Sequence, residues 1–188
     1  MDVFSKAKIT IEGINNFVGT VTREFYIFSN VLKLEDDSQF VFMEKVSDGV
    51  YSEHEHVIYN RRVKVLIDIP ARITVTEFLE NFIEGQREYI KIVSGLSYVT
   101  EDKYDTTYVG TGTEIVFQSA KGSTLDIVKV AVRGDVSGDG FVNYYDIQKL
   151  SDYINKRDFS DYALFYAADI NGDGNVNIND ISELQNLL

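Results

Sequence analysis

Along the first two thirds of the chain apolar and polar residues alternate in short runs, whereas over the last third the apolar positions recur every three to four residues. The first pattern belongs to strands with one buried face, the second to helices with one buried stripe. Residues 5–28, SKAKITIEGINNFVGTVTREFYIF, give two alternating runs around Asn15-Asn16 with Gly13 and Gly19 at the turn, which predicts a hairpin. From about residue 30 to 132 the pattern predicts strands over 40–46, 57–68, 89–93, 114–118 and 127–132. One helix, 75–83, interrupts them. Thr74 is placed to cap it with Glu77 at the reciprocal position, and Val75, Phe78, Leu79 and Phe82 share a face. The expected unit is one helix over a mostly antiparallel sheet, with the single proline, Pro70, ahead of the helix. Further on, Ile147, Leu150 and Ile154, and again Ile181, Leu184 and Leu188, fall at i, i+3, i+7, predicting two amphipathic helices. The fold class is α+β, a β-rich part followed by an all-α part.

Each of these two helices follows a loop, and the loop is duplicated. DVSGDGFVNYYD (residues 135–146) returns 34 positions on as DINGDGNVNIND (residues 169–180). Both copies carry oxygen-bearing side chains at loop positions 1, 3, 5, 9 and 12 and a glycine at position 6, the ligand spacing of a calcium loop. The first set of ligands would be Asp135, Ser137, Asp139, Asn143 (directly or through water) and Asp146, with the Phe141 carbonyl at position 7. The second would be Asp169, Asn171, Asp173, Asn177 and Asp180, with the carbonyl of Asn175. Gly140 and Gly174 permit the sharp turn that folds these oxygens around one ion. Acidic turns are common, but two in register, each followed by the same apolar spacing, are a specific signal for two bound calcium ions.

Composition agrees. The net charge of −12 makes nucleic acid or an anionic membrane a poor partner, because the phosphate term would be repulsive. Ten acidic residues against three basic ones lie in 134–188, so the acidity sits where ions are expected. With no cysteine, disulfides, thiolate catalysis and zinc-thiolate sites are excluded. No apolar run approaches the roughly 20 residues of a membrane span, and MDVFSKAKIT lacks the basic start and apolar centre of a secretory signal.

Other chemistry is thinly represented. Glu53, His54, Glu55 and His56 offer metal-binding groups, but on an alternating strand the histidines and glutamates face opposite ways, and the spacing is not the helical HExxH arrangement. There is no GxSxG and no glycine-rich phosphate loop, so the chain is not expected to be an enzyme. Twelve Tyr and twelve Phe could form a sugar-stacking platform, but aromatic residues two apart along strands read as core.

The stretch before the first loop, LDIVKVAVRG, alternates like a strand where an EF-hand has an entering helix, and position 12 is Asp rather than Glu. With these features, residues 134–188 resemble a dockerin of the type I-like, cellulosomal kind. That is the duplicated loop-helix module by which secreted bacterial enzymes and scaffolds plug into cohesin domains. The phrase FYAADINGDGNVNINDI is especially similar. The order ITVTEFLENF, then YVGTGTEI, then a strand running into the first loop resembles the small β-rich X module that precedes dockerins. Residues 5–28 resemble the closing hairpin of a bacterial Ig-like repeat. The implied domains are 1–28 (that hairpin, or the first strands of the next module), 29–133 (a β-rich X-like module with one helix) and 134–188 (a dockerin).

The resemblance implies a non-catalytic docking function. Calcium would fold 134–188, exposed helix faces would bind a cohesin of a scaffold or cell-surface protein, and the β module would support them. The chain would then be the C-terminal piece of a secreted parent, anchored outside the cell in a cellulosome-like, polysaccharide-degrading assembly. Phe159, Tyr162, Phe165 and Tyr166 would lie along a short connecting helix. The family's contact positions map onto Tyr144, Tyr145, Ser151, Asp152 and Lys156 in the first repeat, and onto Ile178, Asn179, Gln185 and Asn186 in the second. Typical members carry a small hydroxyl pair and a basic residue where this chain has Tyr144-Tyr145 and Asp152, a departure from what standard type I cohesins recognise; because tyrosines offer large contact area, the first repeat is expected to dominate binding in one orientation. With only Gly134 between Arg133 and Asp135, the two parts are expected to pack as one body. The rival readings are a cell-surface adhesin or carbohydrate-binding fragment, and a calcium sensor, which would need paired entering helices.

Overall fold

A computed structural model of the chain describes residues 6–12, 19–26, 31–43, 64–95, 97–156 and 161–188. Strands β1 (Lys6–Glu12) and β2 (Thr20–Tyr26) pair antiparallel from Lys6↔Tyr26 to Glu12↔Thr20 and form a two-stranded sheet of their own. The turn with Gly13 and Asn15-Asn16 lies outside the described residues. Ile9, Ile11 and Val21 of this hairpin are exposed, so its alternation does not mark a core face.

Among the described residues the main sheet has six strands: β3 (Val41–Met43), β4 (Lys64–Ile69), β5 (Ile90–Ser94), β6 (Ser97–Tyr98), β7 (Glu114–Gln118) and β8 (Thr124–Val132). Their order is β3-β4-β8-β7-β5-β6. All neighbours are antiparallel except β4 and β8, which run parallel with Lys64 opposite Val128. Residues 44–63 are not described, so the first part of the strand expected over 57–68, and Glu53, His54, Glu55 and His56, lie outside the described residues.

Helix α1 (Val75–Leu79) starts as expected: the Thr74 hydroxyl accepts the Glu77 N–H, and the Glu77 carboxylate accepts the Thr74 N–H. It ends four residues before the expected 83. Asn81 Nδ2 donates to the Glu77 carbonyl at 3.0 Å, and the chain at 81–83 pairs with 33–35 instead, through Glu35 N–H to Asn81 O (2.9 Å) and the Leu34–Phe82 bridge. A second short helix, α2 (Glu84–Arg87), follows, and no sequence pattern announced it.

Period-two alternation along β8 sorts its side chains to two faces. Val128, Val130 and Val132 join Leu66, Phe78, Phe82, Ile90 and Phe117 in the core beneath α1. Ala131, with Val65 and Ile67 of β4, turns to the other face, where Ala163 of α4 (Tyr162–Ala168) packs against it. The centre of the sheet is thus covered on both sides, by the unit's own helix and by a helix from the acidic C-terminal part. Helices α3 (Tyr144–Lys156) and α5 (Ile178–Leu187) pack on each other around Val136, Leu150, Tyr153, Ala168, Ile170 and Leu184. Leu188, expected on the apolar stripe of the last helix, is exposed. No helix among the described residues is long and apolar enough to cross a membrane.

Candidate metal loops and docking face

Strand β8 delivers the chain to the first loop through Gly134 at φ +88°, a conformation that a residue with a Cβ rarely adopts. A methyl there would lie 3.1 Å from Val142 Cγ1 and 3.2 Å from Leu184 Cδ1, so the joint also lacks room for a side chain. The Gly134 N–H donates to the Ala167 carbonyl at 2.9 Å, tying the joint to α4.

Both loops fold alike. Gly140 and Gly174, at position 6, have φ of +82° and +80°. The position-1 carboxylate gathers the N–H groups of the turn: Asp135 Oδ1 accepts from Gly138 (2.7 Å) and Asp139 (3.1 Å), and Oδ2 from Gly140 (3.0 Å). Asp169 accepts from Asp173 (3.1 Å) and Gly174 (2.9 Å). The position-12 carboxylate closes the loop from the helix side. Asp146 accepts from Ser137 N and Asn143 N, both at 2.9 Å, and Asp180 from Ile170 N (2.9 Å), Asn171 N (3.2 Å) and Asn177 N (2.8 Å). Aspartate is therefore long enough here to reach across the loop.

Positions 9 and 12 also start the helices. Asn177 Oδ1 accepts the Asn179 N–H while Asp180 accepts the Asn177 N–H, a reciprocal cap, and Asn143 Oδ1 accepts the Tyr145 N–H at 2.8 Å. The N-x-x-D spacing that signals this cap is present in the sequence, overlaid on the metal-ligand spacing.

Asp135, Asp146 and Asp180 are fully buried and Asp169 is 8% exposed. The ion pairs among the described residues, Lys64–Asp126, Arg87–Glu35, Lys91–Glu101 and Lys129–Asp161, involve none of them. Burying a carboxylate without a counter-charge is costly. Burial pushes the Asp135 carboxyl above its usual range; the N–H groups of Thr111, Gly140 and Gly138 pull it back, and the Asp146 charge adds to the rise. No group of three or more His, Cys, Asp or Glu gathers as a metal cluster among the described residues. The three aspartates of each loop are therefore not drawn together as a cluster; with the hydroxyl or amide oxygens and the main-chain carbonyl of the same turn they make up an all-oxygen donor set of the kind that suits a hard divalent cation.

The first loop lies against the β unit, through residues that the sequence did not single out. The Arg72 N–H donates to the Gly140 carbonyl at 2.8 Å, and the Phe141 ring meets Tyr108 edge-on at 4.8 Å with the Arg72 guanidinium above it. Of the residues mapped to partner binding, Tyr144 (77% exposed), Tyr145 (49%) and Ile178 (68%) present large apolar surface, and neither tyrosine packs inward. Asp152, Lys156, Asn179, Gln185 and Asn186 are exposed, and Ser151 is half-buried.

The architecture is that of a two-part protein: a mixed sheet with its helix, joined without a spacer to a duplicated loop-helix module. Residues 133–188 match the family model of the dockerin type I domain, and the region before them is β-rich. Comparison with curated proteins and with solved structures finds no match.

Proposed function

We propose that this chain docks its parent protein onto a scaffold: residues 133–188 take two calcium ions, one per loop, and in that state bind a cohesin domain of a scaffold or cell-surface protein. Dockerin domains are non-catalytic modules that bind cohesins. The observation that carries the reading is the pair of buried aspartates at positions 1 and 12 of each loop, without basic partners among the described residues, inside the stretch that matches the family. A bound calcium ion supplies the positive charge that these loops lack. Asp135, Ser137, Asp139, Asn143, Asp146 and the Phe141 carbonyl would hold the first, and Asp169, Asn171, Asp173, Asn177, Asp180 and the Asn175 carbonyl the second.

In this reading residues 29–133 form a supporting module, and 1–28 a separate hairpin before it. The assembly is cellulosome-like, extracellular and directed at polysaccharides. The sensor alternative is disfavoured by what enters the loops. Strand β8 enters the first, and α4, which enters the second, lies on the sheet rather than beside a partner helix free to swing open.

Capture of the full chain on a panel of immobilised cohesins, in calcium and in chelator, tests the proposal. Calcium-dependent capture by at least one cohesin is expected. Equal capture in chelator, or no capture by any member while calcium uptake is confirmed, would overturn it.

A further inference from the structure

The two loops share a ligand pattern but not a setting. Asp135 receives one hydrogen bond from outside its own loop: the Thr111 N–H donates to Oδ2 at 2.9 Å, leaving Oδ1 beside the hydroxyl of Ser137, the next ligand position, at 3.3 Å. Among the described residues no donor from outside the loop reaches Asp169. Thr111 is itself fixed by two bonds to β8, its hydroxyl accepting the Val132 N–H at 3.0 Å and lying 3.2 Å from the Val132 carbonyl.

Packing differs in the same sense. A methyl added to Gly110 would lie 2.3 Å from the Gly138 carbonyl oxygen and 2.7 Å from Gly140 N, so the main chain of the β unit is seated directly on the first loop. Methyls on Gly138 and Gly140 would in return lie 2.7 Å from Thr111 O and 2.9 Å from Tyr108 Cβ. In the second loop, among the described residues, a methyl on Gly174 would meet nothing within 4 Å, and one on Gly172 only Arg133 Nη2 at 3.9 Å.

We propose that Gly110–Thr111 of the β unit forms an outer shell for the first loop, holding Asp135 in its ligating orientation before the ion arrives, so that the first loop binds calcium more tightly than the second and the two fill in order. This rests on the reading of both loops as calcium sites. A ligand already held in place loses less freedom on binding, and outer-shell partners of metal ligands change affinity by about 10- to 100-fold when removed. Thr111 is on this view a positioning residue, and the second loop has to organise itself each time it loads.

The test is calorimetric titration of the full chain with calcium alone. Asp173→Ala leaves the first loop to be measured and Asp139→Ala the second; the first should be tighter by about tenfold or more. Gly110→Ala should weaken the first loop about tenfold or more in the Asp173→Ala background and change the second less than about twofold in the Asp139→Ala background. Circular dichroism reports whether the sheet survives. Where Gly110→Ala disturbs it, Thr111→Val, which removes the hydroxyl link to Val132, decides, and it should weaken the first loop selectively. Equal affinities in the two loops, equal weakening of both by Gly110→Ala, or no change on Thr111→Val would overturn the proposal. Absence of calcium uptake by the unaltered chain would instead overturn the calcium reading itself.

Discussion

Lys129 Nζ lies 3.0 Å from Asp161 Oδ2, joining the last strand of the sheet to the residue that caps α4. Asp161 Oδ1 meanwhile accepts the N–H groups of Ala163 (3.0 Å) and Leu164 (3.2 Å), so one carboxylate both starts the helix and pins it to the sheet. Burial by itself would raise this carboxyl. The hydrogen bond and charge of Lys129, with the Leu164 and Ala163 N–H groups, outweigh it and hold Asp161 below the usual carboxylate range.

A carboxylate whose folded pKa is lowered contributes stability that is fully present above its unfolded value, about 3.9, and is lost as pH falls through the folded value. Because the Asp161 side chain is 41% exposed, solvent screening keeps the share of the pair small. Asp161→Ala, which removes cap and pair, should cost about 1 to 2 kcal/mol in urea unfolding at neutral pH. Asp161→Asn keeps the cap and should cost under about 1 kcal/mol. The gap between wild type and Asp161→Asn should close in the acid; a gap that persists undiminished there would count against the pairing.

Removal of calcium should destabilise residues 133–188 first, since four aspartates buried in the loops are then left with hydrogen bonds but no counter-charge among the described residues. At free calcium about a hundredfold above the dissociation constant each site adds about 2.7 kcal/mol. Scanning calorimetry with and without chelator is the measurement, and superimposable traces would refute the coupling. Asp180→Ala should lower the calcium stoichiometry by one ion.

The exposed Tyr144-Tyr145 pair predicts unequal repeats at the docking surface. Tyrosine offers large contact area with a polar tip and is enriched among interface hot spots. Tyr144→Ala with Tyr145→Ala should lose more than about 2 kcal/mol of cohesin affinity, and Ile178→Ala with Asn179→Ala under about 1 kcal/mol. Equal, small losses would point to two interchangeable orientations.

Gln86 is fully buried, and its amide bridges two main-chain groups, accepting the Lys33 N–H and donating to the Val31 carbonyl, both at 2.9 Å. Gln86→Leu would strand these bonds in the interior at about 1 to 3 kcal/mol each. Urea unfolding should show a loss of about 2 kcal/mol or more, larger than for exposed Glu88→Ala.

Signals carried by neighbouring residues were legible in the sequence. The Thr74–Glu77 cap, the bounds of β7 and the folding of each loop around its glycine are all decided within a few residues. What escaped is decided across the fold. Helix α1 stops at Leu79 because residues 81–83 find partners at 33–35, and no local propensity encodes that competition. Nothing near Gln86 in the sequence signals its burial, since its partners lie more than fifty positions earlier. Thr111 stood in a string that only resembled a family pattern; its role depends on the approach of Asp135, 24 positions later.

The place of β8 in the sheet fixes an order of assembly. As the chain is made from its N-terminus, β4 and β7 each acquire one neighbour, β3 and β5, and each is left with an open hydrogen-bonding edge. Both edges wait for the same strand, which arrives last and must enter between them, opposite residues made about sixty positions earlier. Such late, long-range closure is slow, and open edges meanwhile invite pairing between chains. Once Val132 is seated, Asp135 is only three residues away, so the event that seals the sheet also brings the first loop against Thr111. A nascent chain cut short before β8 would therefore be a sticky intermediate, not a smaller version of the protein.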